Sequence, residues 1–176
     1  MSLAELLASL AVLGLVLAAA VVFLASGQRA YLTGTARVES QQSARVALAR
    51  MAREIRQAGF GPTSTDFSAL SVFEPKRLVL HMDLDADGLI AGRPETITWL
   101  LGADGVLRRD AGGGAQPVIN GVRSLSFTYL GADGAPTPAS GEVRSVVIRL
   151  TTGPEGSPTR REGLITLVTE VRLRNR

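Results

Sequence analysis

The polar side chains of this sequence are unevenly spread. From Leu6 to Ala25 the run LLASLAVLGLVLAAAVVFLA is apolar apart from Ser9. Twenty residues at helical rise cover roughly 30 Å, the thickness of a bilayer's hydrocarbon core. A helix of a soluble core would show a polar face; this one shows none before Ser26, so the pattern predicts a membrane-inserted helix. The run is also too long for the apolar region of an ordinary signal peptide.

Past Gly27 the pattern changes but the helix signal continues. In GQRAYLTGTARVESQQSARVALARMAREIRQAGFGP, the residues Ala44, Leu48, Met51 and Ile55 recur at i, i+4, i+7 and i+11. That is one stripe of an amphipathic helix, with Arg45, Arg50, Arg53 and Arg56 mostly off it. Gly59, Gly61 and Pro62 form a stop signal. The expectation is one helix of roughly 55 residues, apolar all round in its first half and on one face in its second. Gly14, Gly27 and Gly34 are its expected weak points.

After Pro62 the period falls to two. Candidate strands are Arg77–Met82, Glu95–Leu101, Val106–Arg109, Val122–Leu130, Val143–Thr151 and Leu164–Leu173, divided by Gly-, Asp- and Pro-rich turns such as GADG. AGGGAQP and TTGPEGSPTRREG read as exposed loops. No helical segment lies between the strands, so parallel crossovers are not expected. The predicted class is α+β: a long N-terminal helix, membrane-spanning in residues 1–27 and amphipathic in 28–60, packed on an antiparallel β domain over 61–176.

Composition narrows the functional classes. Net charge is +3, mean hydropathy is +0.20, and Lys76 is the one lysine among 19 basic residues. The charges are mixed and scattered, which gives no nucleic-acid footprint. There is no cysteine, so disulfides and thiolate metal sites are excluded. The flanks of the apolar run pose a problem, because Arg29, Arg37 and Arg45 follow it and nothing basic precedes it. By the positive-inside rule the bulk of the chain would stay in the cytoplasm. The expectation that removes the conflict is a short basic leader, cleaved to leave Met1 as a processed terminus.

Glu5 is a carboxylate in the first turn of a membrane-length helix. Three readings compete: a side chain that snorkels to the headgroups, a negative charge that complements the helix dipole, and a partner for a cation in another subunit, for which a free α-amino group at Met1 is the natural choice.

An apolar N-terminal helix with glutamate at its fifth position resembles the type IV pilins and the type II secretion pseudopilins. SARVALARMAREIRQAGFGP, the DLDADG loop, ETITWLLGADGVLRRD, INGVRSLSFTYLGADG and VRSVVIRL are together most similar to PilW-type minor pilins, and the resemblance covers most of the chain. The helix-kinking proline of many major pilins is missing from the VVFL region, which fits a minor component.

The resemblance implies a structural subunit and no enzyme. Its N-terminus would be cut and methylated by a prepilin peptidase. It would be stored in the inner membrane with a periplasmic domain, extracted by an ATPase-driven machine, and assembled into an extracellular pilus. Leu6, Leu7, Leu10, Leu13, Leu15, Leu17, Val21 and Phe23 would form the membrane and filament core. Glu5 would neutralise the Met1 amine of a neighbour. Partners would be other pilin and minor pilin subunits and a tip adhesin, in a pilus serving motility or adhesion. The alternatives are a J-type pseudopilin of a secretion system and a membrane-anchored calcium-dependent binding module; an anchored enzyme is the weakest.

One further motif carries chemistry. In DLDADGLI, Asp83, Asp85 and Asp87 with Gly88 match the first half of a calcium loop, and the Leu89 carbonyl is a candidate ligand. The twelfth position, where a bidentate glutamate belongs, is Pro94, and Glu95 comes one residue late. A plain polar hairpin loop is the competing reading. His81 is the single histidine, and no serine elbow, P-loop or acid pair accompanies it. Tyr31 reads as an interface anchor, and Trp99 and Tyr129 as sheet packing.

Overall fold

A helix this apolar at one end and striped at the other must meet two environments, and the computed structural model shows how it divides. The structure describes residues 2–62, 67–91, 93–154 and 163–175. Helix α1 runs unbroken over Leu3–Gln57, 55 residues. Gly14, Gly27 and Gly34 lie inside it with open space around them. Each costs about 1 kcal/mol of helix propensity, which the long flanking runs absorb without a break. The chain forms two compact units, residues 1–38 and 39–176.

The first unit is helix alone, and it is long and apolar enough to cross a membrane. Its large side chains are exposed, Leu15 by 73% and Phe23 by 81%. Its hydroxyls turn back on the helix: Ser9 Oγ donates to the Leu6 carbonyl at 2.9 Å and Ser26 Oγ to that of Phe23 at 2.7 Å. Satisfied this way, they present little polarity to an apolar surrounding.

The second unit begins with the striped part of α1. Ala44, Ala47, Met51 and Ile55 are fully buried and Leu48 nearly so, in one core with both β-sheets. The first sheet is an antiparallel meander of β1 (Leu70–Glu74), β2 (Arg77–His81), β3 (Thr96–Leu101), β4 (Leu107–Asp110) and β5 (Gln116–Ile119). The second is a meander of β6 (Val122–Leu130), β7 (Ser145–Thr152) and β8 (Ile165–Arg172). Each of the six expected strands is present within a few residues.

Three features depart from expectation. There are two sheets and not one. β1 was not anticipated, and β5 starts inside the expected loop AGGGAQP. β5 contains Pro117, which weakens a strand signal; the strand sits at a sheet edge, where a missing N–H is tolerated. The separation into two sheets occurs at Asn120–Gly121. Asn-Gly ordinarily closes a hairpin. Here Gly121, at φ 68°, sends the chain out of the first sheet, and β5 and β6 do not pair. The sheets are joined otherwise: Phe127 N–H donates to the Pro75 carbonyl at 2.9 Å, and Tyr129 Oη to that of Glu74 at 3.1 Å. Burial pushes the Tyr129 phenol up from its ordinary pKa.

The end of α1 is fixed from three directions. Gly59, at φ 76°, leaves the helix in the left-handed region and donates its N–H to the His81 carbonyl at 2.8 Å. Asp83 N–H donates to the Phe60 carbonyl at 2.7 Å. From the far end of the chain, Asn175 Nδ2 donates to the Gln57 and Ala58 carbonyls at 3.2 and 3.4 Å, two of the acceptors a helix C-terminus leaves open. A Cβ on Gly59 would stand 2.6 Å from the Asn175 carbonyl oxygen. Gly59→Ala therefore lowers stability by about 1–3 kcal/mol, through strain at positive φ and displacement of the C-terminal segment. The urea midpoint of the full chain in detergent micelles checks this, with Gly113→Ala, a position in open space, as the control.

Candidate functional site

Glu5 stands three residues after Ser2, and the pair closes a reciprocal cap. Glu5 N–H donates to Ser2 Oγ at 3.3 Å, while Ser2 N–H donates to Glu5 Oε2 at 2.8 Å. This is the S-x-x-E capping box, which satisfies two of the donors a helix N-terminus leaves open. The first-turn reading of Glu5 is thus the one realised within a single chain. The box was legible as a motif at residues 2–5 but was passed over. Met1, the expected partner of Glu5, lies outside the described residues. The eight side chains expected to form the membrane and filament core, Leu6 through Phe23, are all exposed. With Val12, Val16, Val22 and Leu24 they present apolar surface on every side of the helix.

The acidic loop joins β2 to β3, whose pairing runs up to His81 opposite Thr96. Asp83 is fully buried and accepts two backbone N–H groups, Ala86 on Oδ1 at 2.7 Å and Gly88 on Oδ2 at 2.9 Å. Asp87 N–H donates to Asp85 Oδ1 at 3.2 Å, and Leu89 N–H to Asp87 Oδ1 at 2.8 Å. Positive φ at Ala86 (63°) and Gly88 (85°) lets the backbone wrap this tightly. Glu95, buried, spans the loop from its other end, accepting Leu84 N–H on Oε1 at 3.0 Å and Ala91 N–H on Oε2 at 3.2 Å.

The carboxylates of Asp83, Asp85 and Asp87 each bring an oxygen within 4.8 Å of the others. Ligands on one calcium ion, at about 2.3–2.6 Å each, span no more than about 5 Å, so these three fit a hard cation. Asp85 is held above its ordinary pKa. The Asp87 N–H pulls it down, but desolvation and the charges of Asp87, Glu95 and Asp83 outweigh that pull. Glu95, the residue after Pro94, spends both carboxylate oxygens on loop N–H groups and is not one of the three converging carboxylates. Nearby, His81 lies between two hydroxyls, Nδ1 at 3.0 Å from Thr96 Oγ1 and Nε2 at 2.6 Å from Ser71 Oγ, and burial lowers its pKa.

Glu54 is the charged residue that sequence reasoning missed. It lies three residues after Met51, on the edge of the buried stripe, and is itself buried. Its Oε2 accepts the Trp99 indole N–H at 2.7 Å, and its Oε1 accepts Arg109 Nε at 2.8 Å. Arg50 Nε stands 3.4 Å from the same Oε1. Trp99 is sheet packing, as expected, but with its polar handle on the helix. A glutamate among alanines and methionine on the inner face of a helix is the signal that would have exposed it.

No protein-family model and no curated protein matches this sequence.

The loop makes its own stability prediction. Asp83→Ala removes the acceptor of two part-buried backbone donors and lowers stability by about 1–3 kcal/mol in the presence of chelator. Asp87→Ala, an exposed position, changes it by less than about 1 kcal/mol. Urea titration of the full chain in micelles with chelator compares the two.

Proposed function

We propose that this chain is a filament subunit of the type IV pilin class, most like a PilW-type minor pilin, anchored in the inner membrane before assembly. The observation that carries the reading is the divided helix α1. Within its first unit, residues 6–25 carry apolar side chains on every face of the helix. Its second part is built into an antiparallel α+β domain. Such a helix needs either lipid or a bundle of like helices, and a filament subunit uses both in turn. The domain would face the periplasm first and stand on the outside or tip of the filament later, against other minor pilins or an adhesin. A J-type pseudopilin of a secretion system shares every one of these features. The role is assembly and not catalysis.

Glu5 is the residue on which assembly turns in this reading. The capping box occupies one carboxylate oxygen. In a dry bundle the charge also meets a cation of the adjoining subunit, for which a terminal ammonium is the expected group. The two roles separate by mutation. Ser2→Ala removes the hydroxyl half of the cap and leaves the charge; Glu5→Ala removes the charge and the carboxylate half of the cap. Glu5→Ala is expected to abolish incorporation into filaments and Ser2→Ala to leave it near normal, both domains staying folded. Equal behaviour of the two variants in a shearing and immunoblot assay would reduce Glu5 to a cap.

The converging aspartates favour a second reading, an anchored calcium-dependent binding module. Asp85 and Asp87 would hold the ion with Asp83, whose buried carboxylate is already oriented by the backbone. Thermal melting of the full chain would then rise with calcium, and Asp85→Ala with Asp87→Ala would abolish the rise. Superimposable melts in calcium and in chelator dispose of this reading and leave the loop a hairpin.

A further inference from the structure

Arg109 and Arg50 both approach Glu54 through Nε. This is an unusual use of a guanidinium, because it leaves the paired terminal nitrogens, the fork that grips oxyanions, unspent. No acceptor for those nitrogens occurs among the described residues. The Arg109 side chain is only 17% exposed and that of Arg50 45%.

Both side chains line a cleft of about 540 Å³ between the second half of α1 and the β4–β5 hairpin. A third arginine, Arg93, borders it from the loop before β3. Its stem passes over Gly112, where a Cβ would come within 2.6 Å of Arg93 Cγ. Among the described residues Arg93 has no ion-pair or hydrogen-bond partner. Three guanidinium groups thus surround the cleft against the single carboxylate of Glu54. The nearest other acid in the hairpin, Asp110, uses Oδ1 to accept the Gly112 and Gly114 N–H groups at 2.8 and 3.1 Å.

Apart from Gln116 and the two glycines, the rest of the lining is apolar: Val46, Ala47, Ala111, Pro117 and Val118. Val46 is 60% exposed, whereas Ala44, Ala47 and Leu48 beside it are buried. At Gly113 the rim is open, with no atom within 4 Å of where a side chain would begin. The volume falls in the range of small-ligand sites, about 300–1,000 Å³.

We propose that this cleft binds an oxyanion, a carboxylate or a phosphate, carried on a short apolar body. The anion sits on the free forks of Arg50, Arg93 and Arg109, and the body lies against Val46, Pro117 and Val118. Glu54 serves as the positioning residue: by taking Nε of two arginines it aims their forks outward and keeps them from collapsing on each other. The site is independent of the filament reading and uses none of the loop aspartates, although Arg93 belongs to the same β2–β3 connection.

The test uses the full chain in detergent micelles and three probes: N-acetylvaline, its uncharged amide, and inorganic phosphate. Binding is read by calorimetry and by amide shifts at Gly113 and Gly114. N-acetylvaline is expected to bind saturably and the amide at least roughly ten-fold more weakly. Arg93→Ala, which removes no hydrogen bond or ion pair among the described residues and only the packing of its stem over Gly112, is expected to weaken N-acetylvaline by a similar factor, and Arg93→Met, which keeps an apolar stem without the guanidinium, to weaken it equally with a melting temperature near that of the wild type. Competition by inorganic phosphate would assign the site to oxyanions generally; its failure would assign it to carboxylates. Equal binding of acid and amide, wild-type affinity in Arg93→Ala, or no saturable binding of any probe overturns the proposal.

Discussion

The fold of the second unit rests on the seating of residues 44–55 of α1 against two sheets. Both sheets share one core with this part of the helix. Ala44 and Ala47 have no surface left exposed, so the helix backbone lies close to the strands there. Met51 and Ile55 fill the deeper space one and two turns on. Burying side chains of this size is worth about 1.5–3 kcal/mol each, more than any surface interaction in the molecule contributes. Into this apolar seam the chain inserts one carboxylate, and Glu54 is tolerable there because both its oxygens are occupied by donors from β3 and β4. A buried charge fixes relative position more sharply than it stabilises. Trp99 and Arg109 define where along the sheet the helix can rest.

The first unit obeys a different constraint. Its hydroxyls close on their own helix, its first turn caps itself through Ser2 and Glu5, and its glycines interrupt nothing. From Leu6 to Ala25 the one polar side chain, Ser9, is satisfied by its own helix, so what that stretch offers its surroundings is hydrocarbon. The self-sufficient N-terminus also means that Glu5 need not await a partner to be tolerated at the start of an apolar helix. Any role for its charge between subunits is added to a local one.

Much of this was legible in the residue pattern. The length and stop of α1 followed from the apolar run, the stripe beginning at Ala44, and Gly59. Six strands followed from alternation. What escaped did so for physical reasons. β5 carries a proline that local reasoning penalises and only an edge position excuses. Asn120–Gly121 has the chemistry of a hairpin and is used to change sheets, a choice made by tertiary packing. Glu54 looked like one more surface charge in an arginine-rich helix because its partners are 45 and 55 residues away. The aspartate triplet was visible as a motif, but the part Glu95 plays in closing the loop depends on the register of β2 against β3. The cleft arginines come from three separate elements and have no common signature in sequence.

Trp99 is the only tryptophan in the chain. Its indole is fully buried and bonded to the helix, so all indole emission originates at the seam between helix and sheet. In a molecule whose other unit is a helix long and apolar enough to cross a membrane, that makes the native protein its own optical reporter. Its emission follows the docking of residues 44–55 against the strands.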